Sequence, residues 1–168
     1  MNLRTRRVTH AALIAALYTV LTHMQNIILP SSASMAIQCR ISEALCVLAF
    51  FTPAAIPGLA IGCLVFNITF AAALPLDWLV GSLASFSAAA LMWTTRNIRF
   101  RGYPLLGLLM PALTNAIAVG WELDVSIGGG FWINAFYVAL GELLVMLTLG
   151  TVLLRVLEKR GFDRYLRS

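Results

Sequence analysis

Residues 131 to 157 read FWINAFYVALGELLVMLTLGTVLLRVL, and from Phe131 to Arg155 the only formally charged side chain on the way is Glu142. About 20 apolar residues wound as a helix cross the ~30 Å hydrocarbon core of a bilayer. This stretch therefore predicts a membrane-spanning helix. The rest of the chain agrees. Of its 168 residues, 60% are hydrophobic and 11% charged, and mean hydropathy is +0.87. Soluble domains carry about 25% charged residues. Composition argues against a water-soluble globule and rules out a disordered chain. The length suits a single transmembrane domain over 1–168, since no stretch is long or polar enough for a second, soluble one.

Apolar length and punctuating Pro and Ser residues predict spans over 8–28, 41–51, 54–74, 78–95, 104–121 and 131–157. The expected fold is an all-α integral membrane protein, a six-helix bundle. The second span is too short to cross as a lone α-helix. At the N-terminus, a basic start, an apolar run and Ser31-Ser32-Ala33-Ser34 have the outline of a signal peptide. That run is long enough to span, and it is taken as the first helix.

Three basic clusters punctuate the chain: Arg4, Arg6 and Arg7; Arg96, Arg99 and Arg101; and Arg155, Lys159, Arg160, Arg164 and Arg167. Six spans put all three on one side of the membrane with both termini. Basic loops mark the cytoplasmic side, so the net charge of +5 reflects topology rather than nucleic-acid binding. Glu158 and Asp163 lie with the bases. Glu43, Asp77, Glu122, Asp124 and Glu142 all map to the outer half or outer loops. Acidic residues contribute little to orientation, and ionisable groups inside a membrane point to function.

Several chemistries lack their residues. There is no phosphate-cradling GxxxxGK[ST] loop, and Lys159 is the chain's single lysine. No GxSxG or HExxH occurs, and His10 and His23 lie too far apart along the first span to share a metal. Cys39, Cys46 and Cys63 form no CxxC. No enzyme, metal site or cofactor is expected, and the absence of internal repeats disfavours an inverted-repeat carrier.

The outer half gathers the remaining polar and aromatic groups. Glu43 lies at i,i+3 from Arg40. Asp77 and Trp78 open the fourth span, Trp121 and Glu122 close the fifth, and Trp132, Asn134 and Tyr137 begin the sixth. Asn67, Asn115 and Glu142 lie deeper. Each has a structural reading: an aromatic belt for the Trp and Tyr residues, an ion pair for Arg40–Glu43, and interhelical bonds for the asparagines. Together they make a site for a flat, nitrogen-rich, cationic small molecule. On the first span, Ala11, Ala12, Ala15 and Ala16 form small-xxx-small pairs, and Gly58 and Gly62 form another on the third. Such faces serve internal packing or docking of a partner membrane helix.

The run from Arg40-Ile-Ser-Glu-Ala-Leu through Phe50-Phe-Thr-Pro-Ala-Ala-Ile-Pro-Gly-Leu-Ala-Ile-Gly-Cys to Asn67 resembles the signature of the QueT family. So do Leu76-Asp77 with Gly81-Ser82-Leu83-Ala84, and Phe131-Trp-Ile-Asn-Ala with Tyr137-Val-Ala-Leu-Gly-Glu142. Ala49 departs from the pattern, which carries proline there. The resemblance implies a substrate-binding S component of an energy-coupling factor (ECF) transporter in a bacterial-type plasma membrane. It implies six helices with both termini inside, and ligand bound from the outer face by the loops after the first, third and fifth helices. It also implies docking of the first helix's alanine face on a transmembrane scaffold carrying two ATPases, and toppling in the membrane to deliver ligand. The implied ligand is 7-aminomethyl-7-deazaguanine or a related queuosine precursor. Such a base offers N–H donors to a carboxylate, an ammonium to a second one, and a ring for aromatic walls. Glu43 and Glu142 lead the expected contacts, then Asp77 and Glu122, with Asn67, Asn115 and Asn134 beside them and Trp78, Trp121, Trp132 and Tyr137 as walls. The alternatives are an S component for another vitamin-like cation, and a self-sufficient proton-coupled carrier of an organic cation.

Overall fold

The computed structural model describes residues 2–30, 39–70, 73–74 and 76–162. Among them all regular structure is helical, apart from one bridge pairing Phe100 with Tyr103. Helix α1 is Leu3–Ile28, followed by a 3₁₀ helix over Ile41–Phe50. Then come α2 (Ala55–Thr69), α3 (Asp77–Thr95) and α4 (Leu105–Ile127). Helix α5 (Phe131–Val145) passes through a π turn, Met146–Gly150, into α6 (Thr151–Lys159). Helices α1, α4 and the continuous Phe131–Lys159 are long and apolar enough to cross a membrane. Leu13, Leu83, Leu113, Phe136 and Leu144 are exposed on the outer surface, where water would not favour them and lipid does.

The 3₁₀ helix is the central element. Ser42 to Val47, Ala49 and Phe50 are buried, and it packs against every other helix. A 3₁₀ helix rises about 2.0 Å per residue against about 1.5 Å for an α-helix. Its ten residues therefore reach further than the sequence expectation of a short α-helix allowed. Three residues per turn also stack Glu43, Cys46 and Ala49 in one column below Arg40. Ala49, where the family pattern has proline, continues the winding.

Side-chain contacts set the directions. Helices α1 and α2 run parallel: Thr19 Oγ1 donates to the Gly62 carbonyl at 3.0 Å, and further along His23 Nε2 lies 2.9 Å from Thr69 Oγ1. The 3₁₀ helix runs against α1. Gln25 accepts from Ile41 N at 2.7 Å and donates to the Cys39 carbonyl at 2.6 Å, while Thr22 donates to Ser42 Oγ at 2.7 Å. Helices α2 and α3 are antiparallel, as Asn67 beside Asp77 shows. Helices α4 and α5 are antiparallel too, with Gly120 against Ala135 and Asn115 bonded to Glu142. The basic residues at the start of α1, the end of α3 and the end of α6 therefore share one end of the bundle. There Arg99 pairs with Glu158 at 3.0 Å. Asp77, Glu122 and Asp124 lie at the other end. Asp163, Arg164, Arg167 and the Ser31–Ser34 stretch lie outside the described residues.

Two sequence expectations change. Helix α4 runs past Trp121 to Ile127, because nothing before Gly128 (φ 79°) breaks it. The alanine face divides. A Cβ added to Gly58 would sit 2.8 Å from the Ala11 carbonyl, and one on Gly62 would sit 2.9 Å from that of Ala15. Ala11 and Ala15 thus line the internal α1–α2 interface. Ala12 and Ala16 face outward, because adjacent helical positions point about 100° apart.

Candidate functional site

At the acidic end and just below it, the bundle holds buried Arg40, Glu43, Asn67, Asp77, Asn115, Glu122, Asn134 and Glu142. Each is placed by local structure. Arg40 precedes the 3₁₀ helix; its guanidinium lies 5.6 Å from the Phe66 ring centroid, and Nη1 is 3.7 Å from Cys63 Sγ. Glu43 sits in the first 3₁₀ turn. The Tyr18 hydroxyl donates to its Oε1, and the Cys46 thiol to its Oε2 at 3.2 Å. Asp77 opens α3, where Oδ2 accepts the Leu74 N–H at 2.7 Å. Its carbonyl accepts Asn67 Nδ2 at 2.7 Å. Asn115 donates to Glu142 Oε1 at 2.7 Å.

Electrostatics ties these groups into one cluster. Arg40 lies within charge–charge reach of Glu43 and Asp77, and of Glu122 and Glu142. Glu43 and Glu142 act on each other, as do Asp77 and Glu122. Glu43, Asp77, Glu122 and Glu142 thus share one neighbouring guanidinium. Buried polar oxygens are ordinarily hydrogen-bonded. Here Glu142 Oε2 and Asn67 Oδ1 are buried with no hydrogen-bond partner, and the buried Glu122 oxygens meet no donor other than the neighbouring Asp77 carboxyl. An unpaired carboxylate in a low-dielectric interior costs several kcal/mol. These atoms would be satisfied by a group that brings N–H donors, positive charge, or both.

Other expected residues are not gathered there. Trp78 and Trp121 are half exposed, and Trp132 is 81% exposed. Tyr137 is also exposed, and its ring neighbour is Phe136 of its own helix. These four side chains stand exposed at the acidic end, as an interfacial belt does, rather than buried among the carboxylates. Trp78 and Trp121 adjoin buried Asp77 and Glu122 in sequence, but one helical step of about 100° turns them outward. Asn134 is buried, yet its Nδ2 donates to the Gly128 carbonyl at 2.9 Å, holding the α4–α5 turn. Asp124 assists by accepting the Gly130 N–H at 3.0 Å. The loops after the first and third helices, expected to reach the ligand, fall largely outside the described residues at 31–38, 71–72 and 75.

Tyr18 and Phe66, which the sequence reading passed over, are the buried aromatics of the cluster; Phe70 stacks on Phe66 at 5.2 Å. Tyr18, Thr22 and Gln25 had a visible signal: polar groups at i, i+4 and i+7 make one stripe on an otherwise apolar helix.

No curated protein and no solved structure matches the sequence. The QueT transporter family profile matches it over residues 8–159, a stretch that takes in the whole buried cluster. With a membrane-compatible helical bundle around a set of unpaired acceptors, the chain belongs to the QueT transporter family, and its role is transport.

Proposed function

We propose that the chain is the substrate-binding S component of an ECF-type importer, taking up 7-aminomethyl-7-deazaguanine or a related deazaguanine base from the outer face of the plasma membrane. The observation that carries this is the set of buried oxygens without N–H donors on Glu122, Glu142 and Asn67. A guanine-like edge brings N–H donors that a carboxylate accepts in pairs, and a cation relieves the crowding of carboxylates around Arg40. The common end of the basic residues supports six spans with both termini cytoplasmic. With no phosphate-cradling motif in the sequence, energy for uptake comes from partners: a membrane scaffold and its two ATPases. The outward-facing Ala12 and Ala16 supply the small-residue surface for that scaffold.

The test is a binding titration of the purified protein with 7-aminomethyl-7-deazaguanine. Glu142→Gln is expected to weaken binding about tenfold or more, the loss of one charge-assisted hydrogen bond. If Glu43→Gln and Glu142→Gln both bind as tightly as the parent, the site is misassigned. Uptake by the chain alone in liposomes under a proton gradient would overturn the S-component reading in favour of a secondary carrier.

A further inference from the structure

The carboxylates of the cluster are not equivalent. Both oxygens of Glu43 already have donors, from Tyr18 and Cys46. Glu142 has one oxygen without a donor, and Glu122 faces only a second carboxyl, that of Asp77, with no N–H or cation at either oxygen. They also stand at different depths. Asn115, which holds Glu142, lies seven residues before Glu122 on α4, about 10 Å along the axis. Glu122 is nearer the acidic end. It shares that level with Asp77, which acts on it electrostatically. Asn67 joins them, bound to the Asp77 carbonyl through Nδ2 at 2.7 Å. The free Asn67 Oδ1 is an acceptor independent of the carboxylates, on a side chain only 4% exposed; Glu122 is 0% exposed.

We infer that Glu122, with Asp77 and the Asn67 carbonyl oxygen, forms a subsite for a primary ammonium group, while the deeper Glu142 meets the N–H edge of the ligand's ring. This rests on the deazaguanine reading above and divides the ligand between two levels. An ammonium carries one positive charge and three N–H donors and accepts nothing. That matches a level rich in negative charge whose unpaired atoms are all acceptors. Among the described residues no three His, Cys, Asp or Glu side chains are grouped for a metal ion. In the aminomethyl base the ammonium and the N–H edge lie at opposite ends of the fused ring, as the two levels require. The corresponding nitrile has neither charge nor donors at that end. It would leave Glu122 buried with no N–H or cation, which costs affinity.

The full chain would be titrated with 7-aminomethyl-7-deazaguanine and with 7-cyano-7-deazaguanine. The parent is expected to favour the amine by at least about tenfold. Glu122→Gln is expected to lose that preference, weakening on the amine while binding the nitrile at least as tightly as the parent does, which also reports that the variant is folded. A parent with no preference for the amine overturns the inference, and so does a Glu122→Gln protein that retains it. If Glu122→Gln binds neither base, Asp77→Asn takes its place, and an unchanged preference there overturns the inference. A parent that binds neither base overturns the deazaguanine reading itself.

Discussion

Tyr18 is the residue on which the geometry of Glu43 turns. Its hydroxyl and the Cys46 thiol hold the two oxygens of a carboxylate that is almost wholly enclosed. Tyr18→Phe removes one donor and leaves Oε1 buried without a partner, at a cost of about 2 kcal/mol. Thermal unfolding in detergent should show the loss, and an unchanged midpoint would mean that the hydroxyl does not support Glu43. Cys46→Ser keeps a donor of similar length and is expected to unfold close to the parent. At this scale the sequence was only partly legible. The buried acids and amides could be named from depth alone, because an ionisable group within an apolar run has little else to explain it. The donor to each oxygen could not, because Tyr18 and Glu43 belong to different helices and meet only after packing.

The elements explain how such groups are brought together. Helix α1 presents different faces to different neighbours. The polar stripe of Tyr18, Thr22 and Gln25 meets the 3₁₀ helix. Ala11 and Ala15 meet the glycine notches of α2, where a Cβ at Gly62 would approach the Tyr18 Cβ to 2.8 Å. Ala12 and Ala16 are exposed. This separates two kinds of substitution on sequence-adjacent residues. Gly62→Leu forces backbone and side chain apart, and overpacking of this sort costs about 1–3 kcal/mol or more; it should lower the unfolding midpoint and weaken ligand binding together. Ala12→Trp and Ala16→Trp should leave both intact and abolish uptake when scaffold and ATPases are present. If uptake survives, the outward alanines are not the docking face. The equal spacing of all these small residues made them one set in the sequence. Rotation about the helix axis divides them.

For the whole molecule, the notable feature is polarity from end to end. Helix directions place the basic starts and ends at one pole, where Arg99 also pairs with Glu158, and Asp77, Glu122 and Asp124 at the other. That surface ion pair contributes at most about 1 kcal/mol, so the polarity serves orientation more than stability. The test is labelling with a membrane-impermeant maleimide. The parent for it carries Cys39→Ser, since Cys46 and Cys63 are buried. Ser126→Cys, exposed near the end of α4, should react in intact cells. Lys159→Cys should react only after permeabilisation. Labelling of both from one side would refute the alternating arrangement of spans.

The sequence by itself determined the solvent the chain lives in, its helical class, the grouping of bases at one pole, and the family. These follow from apolar length, charge count and short motifs, all of which are ordered along one dimension. Tertiary structure decided which alanines face inward, that the tryptophans adjoining Asp77 and Glu122 turn outward, and that the second segment winds as a 3₁₀ helix. It also decided that Glu43 receives a phenol and a thiol donor while Glu122 faces another carboxyl. Each of these depends on the angle about a helix axis and on which neighbour arrives there, and spacing along the chain leaves both open until the helices pack.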